Sequence, residues 1–145
     1  MGELFLQQTH LLPAPRERVF AALSERGELS RWWGPDGFTI PEIDFDPREG
    51  GAYRIAMQPP EGELFHLTGA FREVDPPVRL AYTFVWDPAT ADDRETLAEL
   101  DLRELEDGST EVRLKQGPFA TEERRSLHDG GWGESFAKLE RLLAG

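Results

Sequence analysis

The 145-residue sequence contains no cysteine and no asparagine. Without cysteine there are no disulfides, no thiolate metal sites and no cysteine nucleophile. Without asparagine there is no N-glycosylation acceptor. Basic side chains are scarce: 16 against 28 acidic ones, a net charge of −12, and fourteen of the 16 are arginine. Such a chain has no basic face to neutralise phosphates, which excludes nucleic acid as a partner. The same deficit excludes docking on an anionic membrane. No stretch approaches the roughly 18 apolar residues of a membrane span. Met1 to Leu12 has neither the basic start nor the long apolar run of a signal peptide, so a cytoplasmic protein is expected.

What is present suits one domain. A compact chain of this length buries roughly 70% of its unfolded surface, enough for a real core. With 39% apolar and 30% charged residues it reads as globular rather than disordered. The charge is uneven. Residues 87–111 carry ten acids against Arg94 and Arg103, a net −8 of the total −12. That run reads as a solvated sheet face and loop, or as a surface for a basic protein partner.

The pattern along the chain is strand, two short helices, six strands and one long helix. Residues 3–12 alternate loosely as a first strand. Pro15 fits the first turn of a helix whose apolar stripe is Val19, Phe20 and Leu23. Gly27 ends it, and Glu28 to Trp33 reads as a second short helix. Gly34-Pro35-Asp36-Gly37 is a turn. From Phe38 to Gln116 alternation alone recurs, with Pro41 marking an edge or bulge and Gly69 a bulge or close approach. Asp107-Gly108 is a hairpin turn. The edge near Phe38–Phe45 leaves either a monomer or a homodimer open. Thr121 is an N-cap for a final helix reaching Leu143. That helix contains Gly130, Gly131 and Gly133, each costing about 1 kcal/mol relative to alanine. Close packing against a strand, or a kink beside a cavity, would explain them. An antiparallel sheet this long needs its apolar face covered, and only the last helix is long enough. The fold class is therefore α+β: a curved antiparallel sheet of about seven strands wrapped around a long C-terminal helix.

Catalytic motifs fail on inspection. Gly131-Trp132-Gly133 lies in a helix pattern and is no dinucleotide fingerprint, and there is no P-loop. HExxH and GxSxG do not occur. Residues 87–98 place Ala89, Ala91 and Ala98 where a calcium loop needs oxygen ligands. His10, His66 and His128 are far apart in sequence. Ser126, His128 and Asp129 cannot face one another on one helix. No catalytic residue, metal site or cofactor is assigned.

The informative residues are aromatic. Phe38, Phe45, Tyr53, Phe65, Phe71, Tyr82, Phe84 and Trp86 fall on strands, faced from the helix by Trp132 and Phe136. They are either ordinary core or, in part, the lining of a pocket. One helix does not easily fill the concavity of a seven-stranded sheet, and ligand pockets are typically apolar with a few polar groups. The expected lining is Trp32, Phe38, Tyr53, Ile55, Met57, Phe65, Phe71, Tyr82, Phe84, Trp86, Leu100, His128, Trp132 and Phe136. Trp32 reads as a lid-like residue beside Gly34-Pro35, and Trp33 as core. His128 is either a hydrogen-bonded structural histidine or a group for ligand contact and proton transfer. Tyr82 either packs with its hydroxyl at the rim or offers it to the pocket. Arg54, His66 and Arg72 alternate to the outside.

The order of elements resembles the START-like, Bet v 1-like (SRPBCC) helix-grip superfamily. Ala14-Pro15-Arg16-Glu17-Arg18-Val19-Phe20 is similar to the family's first-helix start. Trp32-Trp33-Gly34-Pro35-Asp36-Gly37-Phe38 resembles the WWGP-x-GF signature of the branch homologous to the C-terminal domain of the activator of the heat-shock protein 90 ATPase. Val74 to Leu80 and His128-Asp129-Gly130-Gly131-Trp132 resemble that branch's strand–turn–strand segment and its final-helix HxxGW signature. The resemblance covers essentially the whole chain and implies the fold more strongly than the function. Three functions are compatible with it. The first is binding a small hydrophobic molecule as a carrier or sensor. The second is a chaperone-associated accessory module. The third is a cyclase- or hydrolase-type enzyme using His128 or Tyr82 as acid or base.

Overall fold

The computed structural model describes residues 3–145. Strand β1 (Leu4–Leu12) leads into α1 (Arg16–Ser24) and α2 (Arg26–Leu29). Six strands follow: β2 (Thr39–Phe45), β3 (Ala52–Gln58), β4 (Phe65–Asp75), β5 (Arg79–Asp87), β6 (Thr96–Glu104) and β7 (Thr110–Phe119). Helix α3 (Glu122–Ala144) closes the chain. All pairings are antiparallel in the order β1-β7-β6-β5-β4-β3-β2, so β1 and β2 are the two edges. This is the helix-grip fold expected of the sequence. Helix α1 ends at Ser24 rather than at Gly27, which lies inside α2. Helix α2 starts earlier than the Glu28 to Trp33 segment expected and is shorter, because residues after Leu29 pass into a turn. The register of β2 shifts between Thr39 and Glu42, where Pro41 removes a ladder donor.

Alternation decides the faces. In β3, Tyr53, Ile55 and Met57 are buried while Ala52 and Arg54 are exposed. In β6, Thr96, Ala98, Leu100 and Leu102 point inward. The outer face carries Arg79, which pairs with Glu73 at 2.7 Å, Glu99 at 2.7 Å and Asp101 at 2.9 Å. Its pKa rises above the ordinary arginine value, chiefly through the hydrogen bond to Glu73. The acidic run is thus partly neutralised by arginine rather than simply solvated. One of its members also turns inward: the Asp93 side chain is only 7% exposed and meets Arg124 at 2.5 Å.

Gly69 marks a close approach. A Cβ there would collide with the Thr83 carbonyl and the Tyr53 ring. The bare backbone lets Tyr53 lie across β4 and donate its hydroxyl to the Thr83 carbonyl of β5 at 2.5 Å. Thr121 caps α3 as expected, accepting from the Arg124 amide at 3.1 Å.

Helix α3 is not equally close to all of the sheet. It packs on β1 and β7, where His10 stacks on Phe136 with ring centroids 4.1 Å apart. Gln8 of β1 also donates to the Asp129 carbonyl and to its carboxylate, both at 2.7 Å. Burial lowers the pKa of His10, which keeps the stacked ring neutral, although Glu140 opposes that shift. Over β3, β4 and β5 the helix backbone stands away from the strands. Phe84 and Trp86 of β5 reach its Trp132 and His128, and the space beside them is hollow.

Candidate functional site: a cavity beneath α3

The cavity measures about 660 Å3, inside the roughly 300–1,000 Å3 typical of small-molecule sites. Its sheet wall is Met57, Phe65, Leu67, Phe84 and Trp86, and its helix wall includes His128, Gly131, Trp132 and Ser135. Trp33, Gly34, Pro35 and Phe38 close it from the turn after α2. Leu64 and Leu127, two of the large apolar side chains that remain exposed, stand at its mouth.

The glycines in α3 now have a physical setting. A Cβ at Gly130 would meet nothing within 4 Å, and one at Gly131 would meet only Pro35, at 3.8 Å. Close packing against a strand therefore does not account for them, and α3 runs unbroken through them. Gly130 and Gly131 border the cavity, and the absence of side chains there leaves volume that any larger residue would occupy.

The polar groups in the wall are mostly used within the protein. The Trp86 indole donates to His128 Nε2 at 2.9 Å. Since an indole N–H only donates, Nε2 is the accepting nitrogen. Nδ1 therefore carries the proton and donates to the Arg124 carbonyl at 2.8 Å. Burial pushes the His128 pKa down, and the nearby Arg124 charge adds to that shift; the bond to the Arg124 carbonyl and the charge of Asp93 oppose it. With both ring nitrogens engaged, a proton transfer at His128 has to break one of these bonds. The Trp132 indole donates to Gln116 Oε1 at 2.6 Å, and Gln116 in turn donates to Thr96 at 2.8 Å. Arg124 is held by Asp93 at the N-terminal end of the helix wall.

The expected lining divides in two. Phe38, Met57, Phe65, Phe84, Trp86, His128 and Trp132 are on the cavity wall. Trp32, Tyr53, Ile55, Phe71, Tyr82, Leu100 and Phe136 are not, and each is packed core. Trp32 is 1% exposed because its indole donates to the Ala22 carbonyl at 2.9 Å, which pins it under α1 rather than over the mouth. Trp33, expected as core, is the tryptophan of the pair that reaches the cavity. Tyr53, Phe71 and Tyr82 pack on one another with centroids 5.4–5.7 Å apart. The Tyr82 hydroxyl therefore sits at no rim, and burial raises its pKa far above the ordinary value. Phe136 is spent between His10 and Trp32. Ile55 and Leu100 are fully enclosed.

Sequence reasoning missed Leu67, Gly131 and Ser135, among others on the wall. Leu67 shares a strand face with Phe65, so alternation already offered it. The glycines signalled a cavity as one of two readings. Ser135 shares the helix face of Trp132 and Phe136, but nothing in its type pointed to the site. Among the described residues, no group of three or more His, Asp or Glu side chains is placed to hold a metal ion. No helix among them is long and apolar enough to cross a membrane.

Solved structures share this architecture. A Chromobacterium violaceum protein has 26% identity and a TM-score of 0.85 over 97% of both chains. A Nitrosomonas europaea protein has 29% identity and a TM-score of 0.82, covering 99% of this chain and 96% of its own. The AHSA1 protein from Silicibacter pomeroyi has 27% identity and a TM-score of 0.84 over 97% of both chains. None of the curated proteins matches the sequence. Residues 13–144 match the family described as Activator of Hsp90 ATPase homolog 1-like protein. With that match spanning nearly the whole chain and carrying both tryptophan signatures, the protein belongs to the Activator of Hsp90 ATPase homolog 1-like family.

Proposed function

We propose that the protein binds a small apolar molecule in the cavity beneath α3, as a carrier or sensor. The observation that carries this reading is a space of about 660 Å3 walled by aromatic side chains and bordered by helix glycines. Filling it with side chains would stabilise the fold, since buried apolar area contributes roughly 25 cal/mol per Å2. A cavity left open at that cost is the mark of a site that trades stability for binding.

The test is ligand-linked stability. A ligand that binds only the folded state adds about 2.7 kcal/mol at a hundredfold excess over its dissociation constant. A panel of apolar molecules is expected to raise the melting temperature of the wild-type protein. Gly131→Leu, which projects a side chain into the cavity, is expected to abolish that rise while remaining folded. The reading fails if no molecule shifts the wild-type protein and none is extracted from protein purified from its own cells.

The family match supports a second reading, a chaperone-associated accessory module. The acidic outer surface of residues 87–111 is its candidate contact. Association with the cell's heat-shock protein 90 homologue should then weaken as salt screens the charges. Absence of any salt-sensitive association counts against it.

A further inference from the structure

We propose that Ser135 is the polar anchor of the cavity, and that the site selects an uncharged apolar molecule carrying one hydrogen-bonding oxygen. This inference rests on the ligand-binding reading above.

The polar side chains on the wall other than Ser135 are committed within the protein, sealed or exposed at the mouth. Trp86, His128 and Trp132 have their ring N–H groups and ring nitrogen committed to one another, to Gln116 and to the Arg124 carbonyl. Thr90 bonds to Asp92 and Asp93 in its own loop. Glu134 accepts from the Asp36 amide at 2.8 Å. Ser126 and Glu63 are exposed at the mouth. Ser135 remains. It is 5% exposed and lines the cavity, and its hydroxyl makes no side-chain hydrogen bond among the described residues yet is not sealed from solvent. A hydroxyl that borders a largely apolar cavity without a protein partner is free to bond a ligand or a water. The serine of α1 shows the usual solution: Ser24 donates to the carbonyl four residues back, at 2.7 Å. Ser135 does not make that bond, and its oxygen opens on the cavity instead.

Position and charge narrow the ligand. Ser135 lies where α3 meets the turn after α2, between the contacts of Glu134 with Asp36 and of Lys138 with Pro35. Arg124 is eleven residues earlier, about 16 Å along the helix axis. A ligand whose apolar body fills the aromatic space can therefore reach Ser135 at one end only. Around the cavity, Glu63, Asp93 and Glu134 outnumber the single arginine, Arg124, whose Nη2 is paired with Asp93 at 2.5 Å and whose Nε lacks a partner but is sealed from solvent. An anionic head would meet carboxylates with no free cation to receive it, so a carboxylate ligand is disfavoured.

Three probes of one shape separate the terms: biphenyl, 4-hydroxybiphenyl and biphenyl-4-carboxylate. Binding is followed by the emission of the cavity tryptophans and by calorimetry at neutral pH. The wild-type protein is expected to bind 4-hydroxybiphenyl most tightly and the carboxylate most weakly. Ser135→Ala is expected to weaken 4-hydroxybiphenyl about threefold to tenfold, the effect of one hydrogen bond, and to leave biphenyl unchanged. Ser135→Thr keeps the hydroxyl and is expected to restore the preference. The anchor is overturned if Ser135→Ala changes both neutral probes equally or neither. The selection against charge is overturned if the carboxylate binds as tightly as the phenol. If none of the three binds the wild-type protein, the anchor and the selection both fall, while the cavity reading is decided separately by the wider panel and the extraction.

Discussion

The two halves of the space under α3 are built from the same kinds of residue and end differently. Toward β1 and β7 the helix is seated on protein. Phe136 stacks on His10, Leu139 is fully buried, and Gln8 fastens Asp129. Toward β3, β4 and β5, Phe84 and Trp86 reach the helix side chains Trp132 and His128, and beside them Gly130, Gly131 and Ser135 leave the cavity open. Both halves are apolar, so hydrophobicity does not distinguish them. The difference is side-chain volume on the helix: phenylalanine and leucine on one side, and on the other His128 and Trp132 separated by Gly130 and Gly131 and followed by Ser135. A close-packed interior tolerates few voids larger than a water molecule. The hollow half therefore reflects residue choice along one helix and not a failure of the sheet to fold tightly.

Substitutions can break or sharpen this contrast. The largest effect is expected in the solid half. Phe136→Ala removes a ring 1% exposed and held between His10, Trp32 and Trp132, and should cost about 3–5 kcal/mol in denaturant unfolding. A loss much below that would mean that the two halves are equally loose. Next comes the partition between them. Gln116→Leu leaves the Trp132 indole N–H without its acceptor, which should cost about 1–3 kcal/mol. It should also release Trp132 to alter probe binding, a change visible in its emission.

The hollow half should respond in the opposite direction. Gly130→Ala adds a methyl where nothing lies within 4 Å, and should stabilise the helix by up to about 1 kcal/mol. Destabilisation by this change would show that the glycine serves packing after all. The smallest effect is the response to pH. His128 titrates below its ordinary value of 6.5 in the folded protein, chiefly through burial, and His10 shifts the same way. Between 6.5 and those lowered values the unfolded chain binds more protons than the folded one. Stability is then complete above pH 6.5 and declines as pH falls through that window. The decline should shrink in His128→Gln, measured by melting temperature between pH 7 and pH 5. An unchanged decline would assign it to other groups.

Much of the fold was legible because period and punctuation agreed. Alternation in Tyr53, Ile55 and Met57 and in Ala98, Leu100 and Leu102 marked the inner face of the sheet. Thr121 marked the start of α3, and Gly69 a close approach. The site was legible only in part, for a physical reason. Alternation tells which side of a strand faces inward, but not whether the inward space is filled. Tyr53 and Phe65 carry the same signal, yet one is locked by a hydrogen bond to Thr83 and the other faces a void. The order of Trp32 and Trp33 depended on whether an indole could reach the Ala22 carbonyl, a tertiary contact with no local mark. Asp93 was hidden among acids of the same type, and only its arginine partner across the fold set it apart.

Helix α3 is anchored on both sides of its glycine segment. Arg124 and Asp129 tie it before, and Glu134 and Lys138 tie it after. In mechanical terms it is a beam pinned on both sides and also between, where the Trp132 indole is held by Gln116 at 2.6 Å. Gly130, Gly131 and Gly133 flank that pin. The glycines that leave room for the cavity therefore also weaken the helix that roofs it, by about 1 kcal/mol each relative to alanine.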